Sequence, residues 1–136
     1  MPHKQKALRP GLSASLTREV KFEWTIAHYS AKLPAVFSTP AMIGLMESAA
    51  AQAVQPALPR GAITVGTRIE VDHLKAVPVG ARVRFRARLV EIKGRFLKFA
   101  AEARSAGHLI GKGFVYRAIV EPKKFSRKAA QRARKR

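Results

Sequence analysis

The stretch that most limits what this chain can become is residues 41–54, AMIGLMESAAAQAV. Read as a helix, it carries apolar or small side chains on every side and one charge, Glu47. A helix apolar all round is normally buried in the middle of a structure. Thr39 reads as its N-cap and Pro40 as its first helical position, where a missing N–H costs nothing. Pro56, Pro59 and Gly61 end it. The flanking sequence is written in a different period. Val20, Phe22, Trp24 and Ile26 alternate with Lys21, Glu23 and Thr25, which predicts a half-buried strand, followed by a connection over 28–38. Four more strands are predicted after Gly61. Residues 62–72 alternate through Ile63, Val65, Thr67, Ile69 and Val71, and residues 81–92 through Val83, Phe85, Ala87 and Leu89. Residues 95–104 and 108–121 follow, with tight turns at Lys93-Gly94 and Ala106-Gly107 and a turn region over His73–Gly80. Short turns imply antiparallel neighbours.

A lone apolar helix has to bury its faces against another layer, and a curved antiparallel sheet can wrap it. The expectation is an α+β domain of about five strands round one central helix. Such a sheet leaves part of the helix bare and has open edges. Pairing of two copies through edge strands addresses both, so a homodimer is expected, with a tetramer as a further step. At 136 residues and 47% hydrophobic content there is material for one core. The expected division is a loose basic leader over 1–16, a domain over 17–122 and a disordered basic tail over 123–136. The absence of cysteine excludes disulfides, Cys-ligated zinc and thiol catalysis. No apolar run reaches the ~18–20 residues that span a membrane, and the basic N-terminus lacks the long apolar core of a secretory signal. A cytoplasmic protein without a membrane span is expected.

The formal charge is +19, from 27 Lys and Arg against 8 Asp and Glu. Eight of those cations lie beyond residue 122 with no acid among them, so the body is basic in its own right. Arg82, Arg84, Arg86 and Arg88 line one face of a predicted strand, which reads first as a solvated sheet face. Charge of this size attracts anionic partners, nucleic acid through the tail among them, without reading bases.

Glu47 is the only charged residue between Lys32 and Arg60. An unpaired buried carboxylate costs several kcal/mol, on the order of a fair share of a domain's stability. It therefore either reaches water or lines a pocket, and desolvation there suits a base working near neutral pH. Thr39 is a plain cap or something more, because a helix N-terminus can polarise a substrate carbonyl and a hydroxyl there can orient water or act as a nucleophile. His73 closes a strand at the start of a Pro/Gly turn. His3, His28 and His108 have no supporting context.

Three segments carry a resemblance: VFSTPAMIGLMESAA, TVGTRIEVDHLKAVPVG and VRFRARLVEIKGRFLKFAAEA. Together they cover most of residues 20–121, and they resemble the fluoroacetyl-CoA thioesterase-like branch of hotdog proteins. In that family a Thr begins the central helix, a Glu follows two turns later and a His closes the next strand. Thr39, Glu47 and His73 match in type and relative spacing, and His73, Leu74, Ala76, Pro78 and Gly80 match the turn that follows. The resemblance implies a hotdog fold and hydrolysis of acyl-CoA thioesters. Thr39, Glu47 and His73 would be catalytic, and the Gly66 N–H would lie beside the thioester. No metal or cofactor would be needed beyond the coenzyme A of the substrate, and the site would lie at a dimer interface. Fluoroacetyl-specialised members place aromatic residues in the segment before the helix. Here that segment is YSAKLPAVF, with Leu33 where a ring stands in those members and Phe37 as a pocket wall, so a broader set of small acyl groups is implied. Two other readings compete. One is a non-catalytic hotdog module with a polyanion-binding tail. The other is a hotdog dehydratase, whose paired Asp and His at a helix start are absent here.

Overall fold

The computed structural model describes residues 6–134. Five antiparallel strands form one sheet in the order β1-β3-β4-β5-β2. They are β1 (Ser13–Glu19), β2 (Ile63–His73), β3 (Arg82–Lys93), β4 (Phe96–Ser105) and β5 (His108–Val120). Helix α1 (Thr39–Val54) packs on the inner face, mostly against β3 and β1, and α2 (Pro122–Arg134) follows β5. The core forms between the apolar side of α1 and the expected inner face of β3. Met42, Met46, Ala49, Ala50 and Val54 of α1 meet Val83, Phe85, Ala87 and Leu89 of β3, all fully buried. Truncating one of the larger of these side chains would cost about 2–5 kcal/mol. Arg82, Arg84, Arg86 and Arg88 face out, as their alternation requires. Among the described residues no helix is long and apolar enough to cross a membrane.

Five local expectations need correction. The first strand is Ser13–Glu19, inside the supposed leader, while Phe22–Trp24 and Ile26–His28 are single 3-10 turns. As an edge strand β1 buries only Leu16 fully, with Ala14 half-covered, so its Ser and Thr content hid it from a period-two search. The cap of α1 is Ser38, whose Oγ accepts from Ala41 N–H; Thr39 is the first helical residue. That frees the Thr39 hydroxyl from capping. α1 is not buried all round, since Pro40, Gly44, Ser48 and Gln52 form an exposed face of small or polar residues. β2 and β3, consecutive in sequence, are not neighbours: β5 and β4 lie between them, and residues 74–81 cross that gap. Finally, the tail is helical as far as Arg134. Glu121 accepts from the N–H groups of Lys123 and Lys124, and the acid at the start and Arg132 and Arg134 at the end both suit the helix dipole.

The crossing segment does structural work. Val77 O accepts from Phe37 N–H, Ala35 O accepts from Val79 N–H, and Leu74 and Lys75 N–H both reach Ile110 O. The turn after β2 thereby clamps the chain entering α1 and sets Thr39 against the end of β2.

Candidate active site

Thr39 Oγ1 lies 2.8 Å from His73 Nδ1. The edge of the His73 ring packs T-shaped against Phe37, centroids 6.3 Å apart, and Phe37 in turn meets Phe85 at 6.1 Å. Phe37 is 2% exposed, a rigid apolar wall under the imidazole. Desolvation pushes the His73 pKa below the usual 6.5, outweighing the backbone of Lys75, which favours the protonated ring. A neutral ring can accept the Thr39 O–H proton at Nδ1. Its Nε2 is buried and has no hydrogen-bond partner among the described residues.

Glu47 sits in a second cluster. Its Oε2 accepts from Arg117 Nη1 at 2.9 Å, and the same guanidinium donates from Nε to Thr64 Oγ1 and from Nη2 to Thr64 O, each at 2.8 Å. The Arg117 side chain is 10% exposed and that of Glu47 29%. Burial lowers the Arg117 pKa from its ordinary value, and the charge of Glu47 opposes that shift. Gly66 is part of this cluster, because a Cβ there would run into Glu47 Oε2. The carboxylate therefore rests against bare backbone.

Gly66 and His73 are seven residues apart on β2, an odd separation that puts side chains on opposite faces of a regular strand. A bulge between Gly66 and Arg68 resets the alternation. Thr64 is buried before it, and Ile69 and Val71 pack against the core after it, so the inner positions before the bulge are not Ile63, Val65 and Thr67 as the alternation predicted. Both clusters consequently face α1. A second glycine allows the close fit: Gly111, paired with His73, would carry a Cβ 2.6 Å from Met42 Sδ.

The structure thus brings together Thr39, His73 and Phe37, and separately Glu47 and Gly66. Leu33 belongs to neither group; it lies on an exposed turn, 44% accessible. Thr39 and Glu47 are eight residues apart on one helix, an axial rise of about 12 Å, so the two clusters are not in contact within one chain. His28 packs edge-on against Phe22 and Tyr29, and His108 lies 3.4 Å from Lys75 Nζ. His3 falls outside the described residues. The residue missed in the sequence is Arg117. It is the only charge in GFVYRAIV, residues 113–120, the same signal that singled out Glu47.

The lowered His73 pKa carries a pH prediction. Between that value and 6.5 the unfolded chain binds a proton that the folded chain does not, so stability present above 6.5 falls as pH drops through this window. Denaturant midpoints measured across it should fall more steeply for the wild type than for His73→Gln. Parallel curves would refute the assignment.

Comparison with known proteins agrees with the fold. The sequence model of a family described as fluoroacetyl-CoA-specific thioesterase matches residues 20–123. A fluoroacetyl-CoA thioesterase of Streptantibioticus cattleyicolor is 38% identical over 102 residues, covering 75% of this chain and 73% of that protein. A solved fluoroacetyl-CoA thioesterase superposes with a TM-score of 0.87 at 33% identity, over 93% of this chain and 98% of the other. A Thermus thermophilus hypothetical protein described as a thioesterase superfamily member gives 0.83 at 28%, over 91% and 94%. A hot-dog-like protein of Thermanaerovibrio acidaminovorans, at 23% identity and a TM-score of 0.84 over 93% and 94%, shares the fold. With a family match spanning α1 and all of β2 to β5, this chain has the hotdog fold and belongs to the fluoroacetyl-CoA-specific thioesterase family.

Proposed function

We propose that this protein hydrolyses acyl-CoA thioesters of small acyl groups, in sites shared between the two subunits of a homodimer. The observation that carries the reading is the 2.8 Å Thr39–His73 contact at the start of α1, with the imidazole held neutral by burial. Hydrolysis adds an oxygen nucleophile to the thioester carbonyl carbon, breaks the C–S bond and delivers a proton to the departing sulfur. His73 Nδ1 accepts a proton from a water bound to the Thr39 hydroxyl and returns it to the thiolate, which releases acid and thiol in one step. Where the Thr39 oxygen itself attacks, His73 passes its proton to the thiolate and a water then hydrolyses the acyl-Thr39 ester, restoring the hydroxyl. The Glu47 carboxylate, held through Oε2 by Arg117, presents Oε1 to the acyl group or to the attacking water. Gly66 leaves the backbone of β2 open to the thioester, where its N–H supports the carbonyl oxygen. Related enzymes support the substrate class, since the solved fluoroacetyl-CoA thioesterase has been captured as variants with fluoroacetate, acetyl-CoA and CoA.

Three features favour the dimer. β2 is an edge strand with an unpaired side, both clusters lie along it, and the bare face of α1 carries only small or polar residues that a second copy can approach closely. A two-fold axis lying midway between Gly66 and His73 would set this chain's Thr39 and His73 beside Glu47 of the partner subunit and close the 12 Å gap, an estimate from helix rise of about 1.5 Å per residue. With Leu33 exposed and Phe37 the one ring packed on His73 among the described residues, turnover should extend across short acyl groups and not select fluoroacetyl. Thiol release measured over an acyl-CoA chain-length series is expected to be highest for the shortest acyl groups. A folded wild-type protein inert across the whole series would defeat the proposal.

A further inference from the structure

The basic helix α2 takes no part in the chemistry above, and none of its cations forms an ion pair among the described residues. Every described side chain from Lys123 to Arg134 is exposed. The acid that adjoins it in the chain, Glu121, is engaged in capping backbone N–H groups. At about 100° per residue, Lys123, Lys124, Arg127, Lys128, Arg132 and Arg134 all fall within one half of the circumference. Phe125, Ser126, Ala129, Ala130 and Ala133 fill the other half. Lys124, Lys128 and Arg132 repeat at i, i+4, as do Lys123 and Arg127. Like charges at this spacing destabilise an isolated helix, so the arrangement is strained until an anion covers it.

From this arrangement we infer that α2 is a binding arm for the phosphodiester backbone of nucleic acid, DNA or RNA, separate from the thioesterase site. The helix is about 20 Å long, a length over which a duplex carries roughly a dozen phosphates. Lys and Arg on one face meet a row of phosphates without reading bases. A membrane surface fits less well. Interfacial helices bury several large apolar side chains, and the face opposite the cations offers Phe125 alone among small residues. The surplus charge on the body adds long-range attraction, and the row Arg82, Arg84, Arg86 and Arg88 is exposed.

The test uses the full chain and a variant with the six α2 cations changed to Gln, which keeps helix propensity. Binding of labelled DNA and RNA 20-mers is followed by anisotropy over about 50–200 mM salt. The wild type should bind both alike and lose about 10³-fold or more in affinity across that range. The variant should bind at least about 100-fold more weakly at low salt, with a log–log salt slope flatter by about five. Far-UV circular dichroism should show helix gained by the wild type on binding, while thermal unfolding of the free proteins stays equal. Equal binding by the variant would overturn the inference. So would tighter binding of the wild type to phosphatidylserine vesicles than to either oligonucleotide. Neither readout involves turnover, so the result is independent of whether the thioesterase reading stands.

Discussion

Thr39→Ala and Glu47→Ala proteins, each expected to fall about 10²–10³-fold in turnover, should regain roughly a quarter of wild-type activity when mixed and allowed to exchange subunits. The arithmetic follows from a shared site. Half of the re-equilibrated dimers are mixed, and each mixed dimer holds one site with both defects and one with none. The proposed sharing rests on the separation of Thr39 and Glu47 along α1, about 12 Å. A small acyl group cannot touch both unless one comes from elsewhere. Analytical ultracentrifugation should show a dimer for each variant and for the mixture. A mixture no more active than its components, with exchange demonstrated by differently tagged chains, would place the whole site inside one subunit.

Arg117→Met should cost about 3 kcal/mol of stability and most of the turnover. The guanidinium makes three hydrogen bonds from a nearly enclosed position, two to Thr64 and one to Glu47. Removing it strands a partly buried carboxylate and orphans Thr64. Because Glu47 keeps more than a quarter of its side-chain surface in water, the loss should sit at the low end for a broken buried pair. The double variant Arg117→Met/Glu47→Gln separates structure from chemistry. It should recover much of the lost stability, because no unpaired charge remains, while staying inactive. Arg117→Lys should fall between, since an ammonium keeps the charge but not the fork that spans Thr64 and Glu47. If Arg117→Met retained full turnover in a folded protein, the carboxylate would need no anchor and the role given to Glu47 would be in doubt.

Some of this site was written plainly in the chain. Glu47 stood out because a charge in an apolar helix needs a reason, and the reason proved to be an ion pair and a bare glycine backbone. Arg117 carried the same mark but was hidden in a strand read for its Val, Ile, Phe and Tyr. His73 could be matched by the turn that follows it, and that turn holds the entry to α1 in place. Thr39 was read one position too far out, because Ser38 and Thr39 are both competent caps and only the local backbone chooses between them.

The sequence by itself determined the α+β class, the identity of the inner helix, the faces of β3 and the existence of the hairpins after β3 and β4, the first of them one residue beyond the expected Lys93-Gly94. Each depends on local periodicity or turn chemistry, which neighbouring residues settle among themselves. Tertiary structure alone decided that β2 lies beside β5, that Ser13–Glu19 is an edge strand, and that a bulge turns Gly66 and His73 toward the same helix. Those outcomes rest on contacts between residues far apart in the chain, where the gain from burial is shared among many partners and no single segment carries the signal.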